Sequence, residues 1–60
     1  MITQNNKSRQ RILIVEDNTG NRKFFCAALA KEDYKVDSAE SGVKALGMIQ
    51  DTRYNLVITD

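Results

Sequence analysis

Two short apolar runs each stop at carboxylates. Ile12-Leu13-Ile14-Val15 ends at Glu16-Asp17, and Leu56-Val57-Ile58 ends, after Thr59, at Asp60. The first run is mostly β-branched and neither alternates with polar residues, which suits strands of a parallel sheet covered on both faces. A buried strand that opens onto two adjacent, mutually repelling acids has to end where something else meets them. The stretch "NLVITD" at 55–60 is the best candidate.

The segments between these runs read as two helices and one further strand. Asn18 is a candidate N-cap for a helix through "GNRKFFCAALAKE", which places Phe25, Ala28 and Leu29 on one face, with Ala27, Ala28 and Ala30 adding propensity. Gly20 costs the first turn of that helix about 1 kcal/mol relative to Ala. "YKVDSA" at 34–39 alternates Tyr34, Val36 and Ser38 against Lys35, Asp37 and Ala39, the pattern of an edge strand. In "SGVKALGMIQD", Ser41 is a candidate cap, and Val43, Leu46 and Ile49 form a helical stripe. Leu56–Ile58 is expected to be a second buried strand.

Strands alternating with helices imply parallel strands joined by right-handed crossovers. The two most apolar strands should be neighbours and the more polar one should lie outside the first. This gives an α/β sheet of β-α-β-α-β connectivity and strand order 2-1-3. The reversal puts the helices on opposite faces and opens a crevice at the carboxyl ends of the first and third strands, where ligands of open α/β sheets bind. Glu16, Asp17 and Asp60 are expected to converge there.

Neighbouring strands lie about 4.8 Å apart, and two like charges about 4 Å apart repel by roughly 4 kcal/mol at an effective dielectric near 20. A hard divalent cation relieves that repulsion. Mg²⁺ takes oxygen ligands and keeps waters that a phosphate can displace. A carboxylate beside such an ion can attack phosphorus and form an acyl phosphate. Asp60, alone at its strand end, is the better nucleophile, and Glu16 with Asp17 is the better metal anchor. The plainer alternative is that these acids only cap helices or face water.

Composition narrows the remaining classes. The chain has 60 residues, enough for one small domain, and a net charge of +1 supplies no broad field to draw in nucleic acid or an anionic membrane. The absence of His leaves oxygen ligands for any metal, and the single Cys26 makes no internal disulfide and reads as a small buried hydrophobe. No segment approaches the roughly 18 apolar residues of a membrane span. Residues 1–10, "MITQNNKSRQ", lack a signal-peptide core and read as a disordered polar tail, so a cytoplasmic location is expected. Phe24 and Phe25 read as core and shoulder packing, and Met48 and Ile49 as core or helix surface. Gly42 and Gly47 make no phosphate-cradling loop of dinucleotide-binding type.

Taken together, "ILIVEDN", "NRKFFCAAL" with Arg22, Phe25 and Leu29, "VDSAESGVKAL" and "YNLVITD" resemble the N-terminal half of a response-regulator receiver domain, over about residues 11–60. The resemblance implies a flavodoxin-like domain that accepts a phosphoryl group from a phosphohistidine on a sensor histidine kinase or a histidine phosphotransfer protein. It implies Asp60 as the phosphorylated aspartate, Asp17 as a direct Mg²⁺ ligand and Glu16 as an outer ligand acting through water. Phosphorylation would then shift a surface between two states. Asp33 stands where many members have Gly before the second-strand Tyr, in a left-handed turn that Asp tolerates less well. The pattern also stops at Asp60. The carbonyl beyond the phosphoacceptor, the hydroxyl after strand four and the lysine after strand five are therefore not represented, and the sequence reads as a partial receiver. On this reading the third strand is an exposed edge open to self-association. The rival readings are a receiver-derived binding module that is not phosphorylated and a fragment of a Mg²⁺-dependent phosphohydrolase.

Overall fold

The computed structural model describes residues 10–59; the expected N-terminal tail, Gln10 apart, and Asp60 lie outside the described residues. The elements run β1 (Arg11–Val15), α1 (Thr19–Ala30), β2 (Lys35–Ala39), α2 (Gly42–Asp51) and β3 (Leu56–Thr59). All three strands are parallel in the order β2-β1-β3, the expected arrangement and that of the first three strands of a flavodoxin-like sheet. Among the described residues no helix is long and apolar enough to cross a membrane.

The register sorts the side chains. Leu13 pairs with Asp37 on one side and Val57 on the other, and Ile14 pairs with Ser38 and Ile58. Parallel partners point to the same face, so Leu13 and Val15 face one way and Ile12 and Ile14 the other. Leu13 packs with Ala39 and with Ala45 of α2, flanked by Val15, Met48 and Tyr54. Ile14 shares a cleft with Phe25 of α1 on the opposite face. Leu13 and Ile14 are the largest fully buried side chains, and burying each contributes about 1.5–3 kcal/mol.

Both caps form where the sequence places them. Asn18, in extended backbone, accepts from the N–H of Asn21 at 2.8 Å, and Ser41 accepts from Lys44 at 3.2 Å. A Cβ at Gly20 would stand 3.3 Å from Asn18 Oδ1, so the first turn of α1 keeps room for its own cap. The C-terminal end of α1 tightens through Glu32 N to Leu29 O and Asp33 N to Ala30 O, and Asp33 adopts φ 68°, the left-handed turn expected there.

Three packing expectations are corrected. In α1 the half-buried side chains are Arg22, Cys26 and Leu29. Phe25 and Ala28 are exposed, and Phe24, at 67 % exposure, packs edge-on against Phe25 at 5.6 Å instead of entering the core. In α2 the small Ala45 lets the helix approach Leu13 and Ala39, and Met48 follows it one turn on. That choice turns the longer stripe outward, leaving Val43 82 % exposed, with Leu46 and Ile49 exposed beside it. The third correction concerns β3, expected to be buried. It is an edge strand whose four residues are all exposed, Leu56 at 52 %, because among the described residues nothing pairs with its outer side. The expectation of an open third-strand edge is met in the same observation.

The amino ends of the strands are tied together. Arg11 N–H donates to Asn55 Oδ1 and Asn55 N–H to Arg11 O, both at 2.8 Å. Lys35 N–H donates to Gln10 O at 2.9 Å. Asp37 Oδ2 accepts from the Tyr54 hydroxyl at 2.7 Å and from Arg11 Nη1 at 3.4 Å, linking the approach to β3 with β2 across β1.

Candidate functional site

β1 delivers Glu16 and Asp17 beyond its last residue, Val15. Val15 pairs with Thr59, so the carboxyl ends of β1 and β3 lie side by side. Asp60, the next residue and the third expected member of the site, lies outside the described residues. Beside this end of the sheet is a cleft of about 320 Å³ lined by Ile14, Val15, Glu16, Asn21, Phe25, Ile58 and Thr59. Its floor is apolar, and Glu16, Asn21 and Thr59 bring polar groups to it.

The two described acids differ in surroundings. Glu16 is half-buried: its N–H donates to Ala39 O at 3.0 Å and its Oε2 accepts from Asn18 N–H at 3.2 Å. Asp17 is exposed, and its carboxylate accepts no hydrogen bond among the described residues. One acid is therefore anchored and the other is free to take a ligand. Among the described residues no group of three or more His, Cys, Asp or Glu side chains is placed to hold a metal ion. Glu16 and Asp17 nevertheless supply the donor chemistry a hard cation requires, two adjacent carboxylates on a fixed turn, and they suit Mg²⁺ far better than a soft ion.

Arg22 was only a family landmark in the sequence. In the structure its Nη1 reaches back from α1 to donate to the carbonyl oxygen of Glu16 at 2.9 Å, and Nη2 lies 3.5 Å from Thr19 Oγ1. Asn21 and Phe25 as cleft walls were also missed. The signal for all three is their place in the first two turns of a helix that starts directly after an acidic turn.

Tyr54 lies near the other end of the sheet. Partial burial, followed by its bond to the Asp37 carboxylate, raises its phenol above the usual 10.0.

The family model for the response regulator receiver domain matches residues 12–60. The response regulator receiver protein CpdR of Brucella abortus is 35 % identical over 51 residues, 85 % of this chain and 42 % of CpdR. Hybrid signal transduction histidine kinase F of Dictyostelium discoideum is 37 % identical over 54 residues, 90 % of this chain and 5 % of the kinase. The autoinducer 2 sensor kinase/phosphatase LuxQ of Vibrio harveyi is 36 % identical over 50 residues, 83 % of this chain and 6 % of LuxQ. The chain thus spans less than half of these curated relatives. No solved structure gives a significant match.

Proposed function

The chain belongs to the response regulator receiver domain family of two-component signalling, and from that premise we propose that it accepts a phosphoryl group on Asp60 beside a Mg²⁺ ion held by Glu16, Asp17 and Asp60. The observation that carries this reading is the parallel Val15–Thr59 register, which sets the end of β3, the residue before Asp60 in the sequence, beside the strand that opens into Glu16-Asp17.

In the proposed step a carboxylate oxygen of Asp60 attacks phosphorus of a phosphohistidine. The O–P bond forms, the P–N bond breaks, and the imidazole leaves with the electron pair and takes up a proton. The ion, when bound, screens the incoming phosphoryl charge. Asp17, exposed and without a hydrogen-bond donor on its carboxylate among the described residues, would hold the ion directly, and Glu16, anchored by Asn18, would act on it through water. The donor is a sensor histidine kinase or a histidine phosphotransfer protein, in the cytoplasm, and the chain itself turns over no substrate.

Beryllofluoride, a mimic of the acyl phosphate, tests the proposal. Binding that requires Mg²⁺ and disappears in Asp60→Asn supports it. Beryllofluoride binding that survives Asp60→Asn, or that ignores Mg²⁺, overturns it.

A further inference from the structure

The main chain at Glu16 sets the direction in which both acids leave the sheet, and both of its polar groups are held. The Glu16 N–H is fixed by β2 through Ala39 O, and the Glu16 carbonyl is fixed by the guanidinium of Arg22 at 2.9 Å. Arg22 is half-buried between exposed neighbours, Asn21 and Lys23, so its side chain lies along the protein and not out in water. A long side chain loses conformational entropy when immobilised in this way, and an Arg fork recovers it best by making more than one bond; here Thr19 Oγ1 is the second, longer partner. Among the described residues nothing comparable holds Asp17, whose orientation is therefore inherited from the main chain before it.

We infer that Arg22 is a positioning residue for the proposed metal site: its bond to the Glu16 carbonyl presets the acidic turn so that Asp17 meets the cation without reorganisation. This rests on the Mg²⁺ reading above. Positioning and a simple charge effect act on Mg²⁺ affinity with opposite signs. A guanidinium near two carboxylates offsets their repulsion and competes with a divalent cation, so charge alone makes a neutral replacement bind Mg²⁺ more tightly. Positioning makes the same replacement bind it more weakly. Partners behind metal ligands usually matter by 10–100-fold in affinity.

The test has two arms on the chain and its Arg22→Met variant. In a calorimetric Mg²⁺ titration, Arg22→Met is expected to weaken affinity about tenfold; equal or tighter binding overturns the inference. In the metal-free chain, ¹⁵N relaxation is expected to show the Asp17 and Asn18 amides passing from order parameters near about 0.85 to below about 0.6 in the variant; unchanged values overturn it. Should Arg22→Met fail to fold by circular dichroism, Arg22→Lys serves instead. It keeps the charge but lacks the planar fork, and a several-fold loss of Mg²⁺ affinity supports the inference while wild-type affinity overturns it. A wild-type chain that takes up no Mg²⁺ contradicts the metal reading, and the relaxation arm then decides the role of Arg22 alone.

Discussion

The hydroxyl of Tyr54 donates to Oδ2 of Asp37 across 2.7 Å, joining the segment that leads into one edge strand to the strand at the opposite edge of the sheet. Arg11, at the start of the central strand, approaches the same oxygen at 3.4 Å. The pair is only partly buried, so its ionic component counts for little, and the short hydroxyl bond carries most of its value. Tyr54→Phe is expected to destabilise the chain by about 1 kcal/mol, with no change in the slope of a urea melt.

The same pair predicts an alkaline limit. The folded Tyr54 phenol is raised above 10.0, so the fold binds its proton more tightly than the unfolded chain does. Its stabilisation is fully present below about pH 10 and is lost as pH rises through the folded value. The difference in melting temperature between the chain and Tyr54→Phe should therefore shrink above that pH. A constant difference up to strongly alkaline pH would contradict the assignment.

The cap of α1 and its second residue should be coupled. Asn18→Ala removes the bond to Asn21 and is expected to cost about 1 kcal/mol. Gly20→Ala gains helix propensity but sets a Cβ 3.3 Å from Asn18 Oδ1. The gain should be larger once Asn18→Ala has removed that oxygen. A double-mutant cycle by chemical denaturation reads the difference, and strict additivity would sink the idea.

Asp33 bears the left-handed turn after α1 at φ 68°. Asp33→Gly should stabilise by up to about 1 kcal/mol, and Asp33→Val should destabilise by more than that, because a β-branched residue resists positive φ. Thermal melts of the two variants, read against the wild type, suffice.

Among the described residues β3 has an unpaired edge, with Leu56, Val57 and Ile58 exposed. At raised concentration the chain is expected to self-associate through that strand, and Val57→Lys should suppress this, since a charged edge resists strand addition. Sedimentation velocity of both across a concentration series checks it; identical behaviour would place the contact elsewhere.

The features legible in the sequence were those written locally. Asn18 and Ser41 announced their helices because a cap and its recipient N–H lie three residues apart, and the strand order followed from which runs were most apolar. Helix faces were not legible in the same way. Counting apolar side chains selects Val43, Leu46 and Ile49, whereas the sheet selects the helix face that lets backbones come close, and that depends on Ala45 meeting Leu13 and Ala39. The expected burial of β3 failed because strand composition reports what a segment can tolerate and not what covers it. The acidic turn was visible as Glu16-Asp17, but its fastening by Arg22 was not, since a side chain reaching back to a main-chain oxygen leaves no pattern in residue types.

The asymmetry of the sheet has a mechanical meaning. Its base is clamped by the reciprocal Arg11–Asn55 bonds and the Tyr54–Asp37 link, while among the described residues the tip of β3 at Thr59 is held by its pairing with β1 alone. A strand fixed at its root and light at its tip behaves as a cantilever. A displacement of β3 would therefore be greatest at Thr59 and least at Asn55, on the side of the sheet away from the Ala39–Ala45 packing that seats α2.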